Sequence, residues 1–212
     1  NTYTTRIMSS PISIVVLILV LSLFQPCSSF VHNLSTYHQR NNNNNFNYLT
    51  TMGATTSRNT LLSEETKLEF ENKSILLTGA SRGLGRSLAH KLAECNVSLL
   101  ILSGRDEDAL LQVKNECADI ASASHSSIKI EIVPCDLADQ SSVDNLSAKS
   151  ISIAQQLHAT KAIDVLINNG GISSRSSFLD TDISVDQKLM QVNFFSGVGL
   201  AKALVPNKVE QK

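Results

Sequence analysis

The chain has 212 residues, 42% of them apolar, enough for a buried core in one or two domains. Arg6, Arg40 and Arg58 are the only basic residues ahead of Glu64, so 15 of the 18 basic and all 19 acidic residues follow, a net of −4 in that stretch. A mildly acidic domain without a basic run is a poor partner for nucleic acid, and a nucleic-acid-binding role is excluded on that ground.

The sequence begins with Asn rather than Met, which is read as an incomplete start, with Met8 and Met52 the candidate initiators near that end. Residues 12–24 read ISIVVLILVLSLF, preceded by Arg6 and followed by the small residues Cys27-Ser28-Ser29. Charge, apolar run and small residues in that order are the pattern of a secretory signal peptide, so residues 1–29 are expected to send the chain to the endoplasmic reticulum. The alternative is a retained membrane anchor through residues 12–24, although a spanning helix needs about 20 apolar residues.

Residues 30–70 are expected to be a disordered linker. Their first part, 30–63, holds no acid, many Ser, Thr and Asn, and the run Asn41 to Asn45. Such a segment buries too little apolar surface to offset its ordering entropy. It is also acid-poor and hydroxyl-rich, as transit peptides are. A signal peptide followed by such a stretch from Phe30 resembles the two-part presequences of algae with complex plastids, which would make the plastid the alternative destination. Met52-Gly53-Ala54-Thr55-Thr56-Ser57 fits a myristoylation pattern that matters only if translation starts at Met52.

The domain, residues 71–212, opens with the apolar run Ser74 to Thr78, a buried strand by its lack of polar interruption. Leu84, Leu88 and Leu92 then recur at helical spacing. Val97 to Leu102 predicts a second strand. Asp106 is placed to cap a helix whose Leu110, Val113, Cys117 and Ile120 share a face. Ile128 to Cys135 predicts a third strand, and Asp139 a second capped helix with Val143, Leu146, Ile153 and Leu157 inward. Ile163 to Ile167 predicts the fourth strand. Ser184-Val185-Asp186-Gln187 reads as a capping box opening a helix with Val185, Leu189 and Val192 inward. Strict alternation of strand and helix predicts an α/β fold, a doubly wound parallel sheet of Rossmann type that stops after the fourth strand and its following helix. Cys95, Cys117 and Cys135 show neither CxxC nor metal-ligand spacing, so they are expected to be small buried residues and no metal site is expected.

Ligands of such sheets bind at the carboxyl ends of the strands. There, Thr78-Gly79-Ala80-Ser81-Arg82-Gly83-Leu84-Gly85 joins the first strand to the first helix. Gly79 suits a tight turn, Gly83 lets backbone N–H groups approach a phosphate, and Gly85 lets the helix pack close to the strand. The helix start then offers unpaired N–H groups and a positive dipole end to a pyrophosphate. The spacing is neither G-x-G-x-x-G nor a P-loop.

This TGxxxGxG loop resembles the cofactor loop of the short-chain dehydrogenase/reductase family. Three later sites carry the resemblance across about residues 72–206. Asp136-Leu137 after the third strand matches the family's adenine contact. Asn168-Asn169-Gly170-Gly171 resembles its NNAG, with Gly170 for Ala, a motif that also stabilises the central sheet in the family. Asn193 resembles the Asn of its catalytic tetrad, which supports a proton-relay water. The resemblance implies a cofactor site built from Gly79, Ser81, Arg82, Gly83, Leu84, Gly85, Arg105, Asp136, Leu137, Asn168 and Gly170.

The second strand ends Ser103-Gly104-Arg105, with no acid at its tip, and Arg82 is a second cation in the loop. An acid there suits the ribose of NAD and an Arg the 2′-phosphate of NADP, so NADP(H) is the expected cofactor. The family's chemistry is hydride transfer with a small-molecule alcohol or carbonyl, here expected to be lipid- or steroid-like, in a full-length homo-oligomer. It needs a Tyr in Y-x-x-x-K. Tyr3, Tyr37 and Tyr48 all precede the domain and no such motif occurs, so the chain is expected to be a fragment, inactive by itself. The alternative is a non-catalytic NADP(H)-binding or interaction protein.

Overall fold

The computed structural model describes residues 64–124, 126–157 and 162–210, and the backbone of residues 15–18. The rest of the leader, with Cys27, the transit-like stretch and Met52–Ser57, lies outside the described residues. The strands are β1 (Val15–Ile18), β2 (Ser74–Thr78), β3 (Leu99–Gly104), β4 (Lys129–Pro134) and β5 (Val165–Asn168). They form one parallel sheet in the order β1-β5-β2-β3-β4. The helices are α1 (Glu64–Phe70), α2 (Gly83–Ala93), α3 (Glu107–Ala123), α4 (Gln140–Leu157), α5 (Ile183–Met190) and α6 (Ser196–Glu210), with a π-helical turn at Gln191–Phe195 between the last two.

Alternation along each strand decides the two cores. Ile75, Leu77, Leu100, Leu102, Val165 and Ile167 face one way, where they meet Ala89, Leu92 and Ala93 of α2 and Leu110, Val113 and Cys117 of α3. Leu76, Leu99, Ile101, Val133 and Leu166 face the other way, against Val143, Leu146 and Ala154 of α4 and Leu200 and Leu204 of α6. Truncating a fully enclosed leucine such as Leu76 to alanine costs about 2–5 kcal/mol. Chain order runs outward from β2 through β3 to β4, then returns to the other side of β2 for β5. That reversal opens a crevice at the carboxyl ends of β2 and β5.

Polar contacts tie these layers together. At the amino end of the sheet the buried Asp164 carboxylate accepts the Ser74 N–H at 2.9 Å, and the Asp164 N–H donates back to Ser74 Oγ at 2.8 Å. Between α2 and α3, Glu116 takes a fork from Arg86 and further bonds with His90 and Gln112. Burial opposes ionisation of Glu116, but the hydrogen bonds from His90, Arg86 and Gln112 outweigh it and hold the carboxyl below its ordinary range. Cys95, Cys117 and Cys135 are free and buried, as expected. Burial pushes the Cys117 thiol up to about 12, which leaves it protonated and inert.

Three details depart from the sequence reading. The sheet has a fifth strand: Val15–Ile18 of the leader pairs with Val165–Asn168 residue for residue, because an apolar β-branched run satisfies the open edge of β5. Order also begins before residue 71. Helix α1 occupies the end of the segment read as a linker, and Phe70 packs against the core. Lastly, α5 starts at Ile183, capped by Asp182, which accepts the Ser184 N–H at 2.8 Å, so Ser184 is inside the helix rather than its cap. Hydrogen bonding from Ser184 holds the Asp182 carboxyl below its ordinary range, and an ionised carboxylate is the stronger acceptor.

Candidate functional site

The crevice at the switch point is a cleft of about 340 Å³. The loop Thr78–Gly85 forms one wall, Ser103–Arg105 and Cys135–Ala138 the floor, and Asn169–Ile172 with Lys188 and Val192 the far side.

Thr78 and Asn169 lock the loop in place. Thr78 Oγ1 donates to the Ile167 carbonyl at 3.3 Å and accepts the N–H groups of Asn169 and Gly170, each at 3.1 Å. Asn169 Nδ2 donates to the carbonyls of Thr78 and Gly79, both at 3.1 Å. The ends of β2 and β5 are thus clasped side by side. The clasp leaves no room at Gly79, which has φ +65° and where an added Cβ would sit 2.7 Å from Gly170 Cα. Gly83 differs: its φ of +55° also favours glycine, but nothing lies within 4 Å of the missing Cβ. Its amide therefore borders open cleft.

Helix α2 begins against this space. Its N-cap, Arg82, is extended and makes no side-chain cap bond, and its first turn holds no acid. Uncapped N–H groups and the positive end of the helix dipole face the cleft, a pairing that favours a bound anion. Arg82 and Arg105 are exposed on the same cleft and form no ion pair among the described residues. Asp106, the acid after Arg105, accepts the Ala109 N–H at 3.0 Å and caps α3. Across the cleft, one Asp136 oxygen accepts the Ala138 N–H at 3.0 Å, and the other makes no bond among the described residues. Leu137 meets Gly170 so closely that a Cβ there would lie 2.6 Å from Leu137 Cδ1. Donor set, cations and cradle fit a dinucleotide laid from phosphate loop to Asp136.

Of the residues expected at the cofactor, Gly79, Ser81, Arg82, Gly83, Leu84, Gly85, Arg105, Asp136, Leu137 and Gly170 line the cleft together. Asn168 does not. Its side chain turns to the other face of the sheet, against Gly197 of α6, and its buried Nδ2 has no hydrogen-bond partner among the described residues. Neighbouring residues at a strand end point to opposite faces, so Asn169 is the one that reaches the cleft. Asn193 is also outside the lining. It lies in the π-helical turn, where its Oδ1 accepts the Ile172 N–H at 2.9 Å and its Nδ2 donates to the Ile172 carbonyl at 2.8 Å. It therefore holds the loop after β5 against the turn. The sequence reading missed Lys188, Val192 and Ile172. Only the four-residue helical spacing of Lys188 and Val192 could have linked the first two, and nothing in their own windows marks them.

The profile of the family described as short chain dehydrogenase matches residues 73–212. A dehydrogenase/reductase SDR family protein 7-like from Anopheles gambiae is 37% identical over 156 residues, which is 72% of this chain and 46% of that protein. Dehydrogenase/reductase SDR family member 7B from Xenopus laevis is 39% identical over 138 residues, 65% of this chain and 41% of its own length. The chain thus spans less than half the length of these relatives. Among solved structures, a short-chain type dehydrogenase/reductase from Mycobacterium marinum superposes with a TM-score of 0.58 at 25% identity, covering 71% of this chain and 56% of that one. An L-sorbose reductase from Gluconobacter frateurii, complexed with NADPH and L-sorbose, shares the fold with a TM-score of 0.56 at 22% identity, covering 66% of this chain and 48% of that one.

Proposed function

The chain belongs to the short-chain dehydrogenase/reductase family, and from that footing we propose that it binds NADP(H) and forms the cofactor-holding part of an oxidoreductase acting on alcohols or carbonyls. The observation that carries the choice of cofactor is the tip of β3. A free acid there would accept the ribose 2′-hydroxyl of NAD. Here the tip is Arg105, and the carboxylate of Asp106 is occupied as a helix cap. Arg82 and Arg105 offer two guanidinium forks suited to the oxygens of a 2′-phosphate. Uncapped N–H groups at the start of α2 would hold the pyrophosphate, and Asp136 with Leu137 the adenine. When bound, the nicotinamide would supply or accept the hydride.

Titration of the chain and its Arg105→Asp variant with NADPH and NADH tests this. Loss of a charge-assisted hydrogen bond should cost about 1.5–3 kcal/mol with NADPH, or roughly tenfold to a hundredfold in Kd. NADH should change little. Equal losses with both cofactors reject the assignment.

The proton step needs a group this domain does not contain. Tyr3, Tyr37 and Tyr48 all precede Ser74, and no Tyr-x-x-x-Lys occurs in the 212 residues. A tuned acid/base contributes about 10²–10⁴-fold. We therefore expect NADPH binding without turnover from this chain, with catalysis requiring residues beyond those present. Robust NADPH oxidation with a ketone panel by these 212 residues overturns that expectation. A lipid- or steroid-like substrate and a homo-oligomer for the complete enzyme belong to the same proposal. For destination, the support is sequence alone: Arg6, the apolar run 12–24 and Cys27-Ser28-Ser29 favour translocation into the endoplasmic reticulum, a role in which Val15–Ile18 would engage the membrane instead of the edge of β5.

A further inference from the structure

Four Asn-x-Ser triplets occur in the chain, at Asn33, Asn72, Asn96 and Asn145, and the last three lie among the described residues. Such triplets accept N-linked glycans on surface segments of secreted chains. The structure separates the three. Asn72 is exposed in the left-handed turn ahead of β2, with φ 57°, and its side-chain amide makes no hydrogen bond among the described residues. Asn145 is exposed on α4, whose Val143, Leu146 and Ser147 turn inward, and its amide likewise has no partner there. Asn96 is built into the fold. Its Nδ2 donates to Glu71 Oε1 at 3.2 Å, its Oδ1 accepts the Ser126 hydroxyl at 2.8 Å, and its carbonyl accepts the Asn72 N–H at 3.0 Å.

We propose that Asn72 and Asn145 are N-glycan acceptors; the proposal rests on translocation into the endoplasmic reticulum. In the transfer, the amide Nδ2 attacks C1 of the first sugar of a polyprenyl-diphosphate oligosaccharide. The N–C1 bond forms, the C1–O bond breaks, the polyprenyl diphosphate departs, and the amide proton leaves with it. The folded domain sets the timing. The hydroxyl of each triplet must be accessible during transfer, yet Ser74 is fully buried, with its hydroxyl donating to the Ala162 carbonyl at 2.6 Å. Ser147 is 7% exposed and donates to the Asp144 carbonyl at 2.7 Å. Transfer therefore precedes the pairing of β2 with its neighbours and the docking of α4. Afterwards the glycan on Asn72 projects from the amino ends of the strands, opposite the cleft at their carboxyl ends. Cofactor access stays open.

The test is translation of the full chain with endoplasmic reticulum microsomes, followed by protease protection and glycosidase digestion. Asn72→Gln and Asn145→Gln should each remove one glycosidase-sensitive step in gel mobility from the protected chain. NADPH affinity should be the same before and after glycan removal. A protected chain whose mobility is unchanged by the Asn72→Gln, Asn145→Gln pair overturns the acceptor sites while leaving translocation intact. A chain fully open to protease overturns translocation and, with it, the modification of this protein. Behind a proven cleavable signal, the same variants then report on the acceptors separately: modification lost with Asn72 and Asn145 supports them as acceptors, and an unmodified chain rejects them on chemistry.

Discussion

Replacing Gly85 with alanine should be among the most damaging single-methyl changes in the domain. The added Cβ would lie 2.0 Å from the Gly79 carbonyl oxygen and 2.6 Å from Asn169 Nδ2. Ordinary contact begins at 3.4 Å, so the start of α2 and the loop must part by about 1.4 Å. Overpacking typically costs about 1–3 kcal/mol. The obstructing atom here is backbone, not a side-chain end that can swing away. Moving it also strains the two Asn169 bonds to the Thr78 and Gly79 carbonyls, each worth about 1 kcal/mol net. A loss of about 3 kcal/mol or more follows, a large part of a typical domain's 5–15 kcal/mol or so. Gly83→Ala is the control. It meets nothing within 4 Å and carries only the left-handed backbone penalty of about 1–2 kcal/mol, yet its methyl enters the space a phosphate would use. Urea unfolding followed by circular dichroism gives the stabilities, and NADPH titration the affinities. The reasoning fails if Gly85→Ala lies within about 0.5 kcal/mol of the parent. It also fails if Gly83→Ala is the less stable of the two.

Thr78→Val removes the acceptor shared by the N–H groups of Asn169 and Gly170 and should cost about 2–3 kcal/mol, with Thr78→Ser close to the parent; equal stability of Val and Ser variants in urea contradicts the clasp. In a Cys27→Ser background, the buried Cys95, Cys117 and Cys135 should resist a thiol reagent in buffer and react together in urea, and a fast-reacting thiol in buffer contradicts their burial. The Glu116 carboxyl is held below its ordinary value of 4.5, so its contribution is present above that pH and is lost as pH falls through the folded value. Glu116→Gln should flatten the acid limb of a stability–pH profile, and the Arg86–Glu116 coupling in a double-mutant cycle should be about 0.5–1 kcal/mol; parallel profiles would contradict a stabilising role for the Glu116 carboxylate between α2 and α3.

Much of the site was legible before the fold. The run Ser74–Thr78 is the strand it was read as, and Asp106 and Asp139 cap their helices because a carboxylate one step before a helix finds free N–H groups in any context. Strand ends were less legible: Val97 is fully buried yet precedes β3, which pairs only from Leu99 because Ser74 sets the register opposite it. The capping box at Ser184 lost to Asp182 two residues earlier. Asn168 and Asn169 could not be told apart, since one dipeptide sends its side chains to both faces of a sheet. Asn193 was found as a residue, but its partner Ile172 lies 21 residues away and is reached only through the backbone.

Taken by itself, the sequence determined what depends on short windows: the alternation that makes each strand two-faced, the helical spacing of Leu110, Val113 and Cys117, the glycines at the turn, and the cation at the tip of β3. These follow from backbone preferences and side-chain chemistry that act over a few residues. Tertiary structure alone decided which strands are neighbours, that β1 lies against β5, which asparagine reaches the cleft, and that α5 and the π-helical turn after it bring Lys188 and Val192 to its far wall. Each of those is settled by contacts between segments far apart in the chain, whose free energy depends on register and crossover and is invisible to any local pattern.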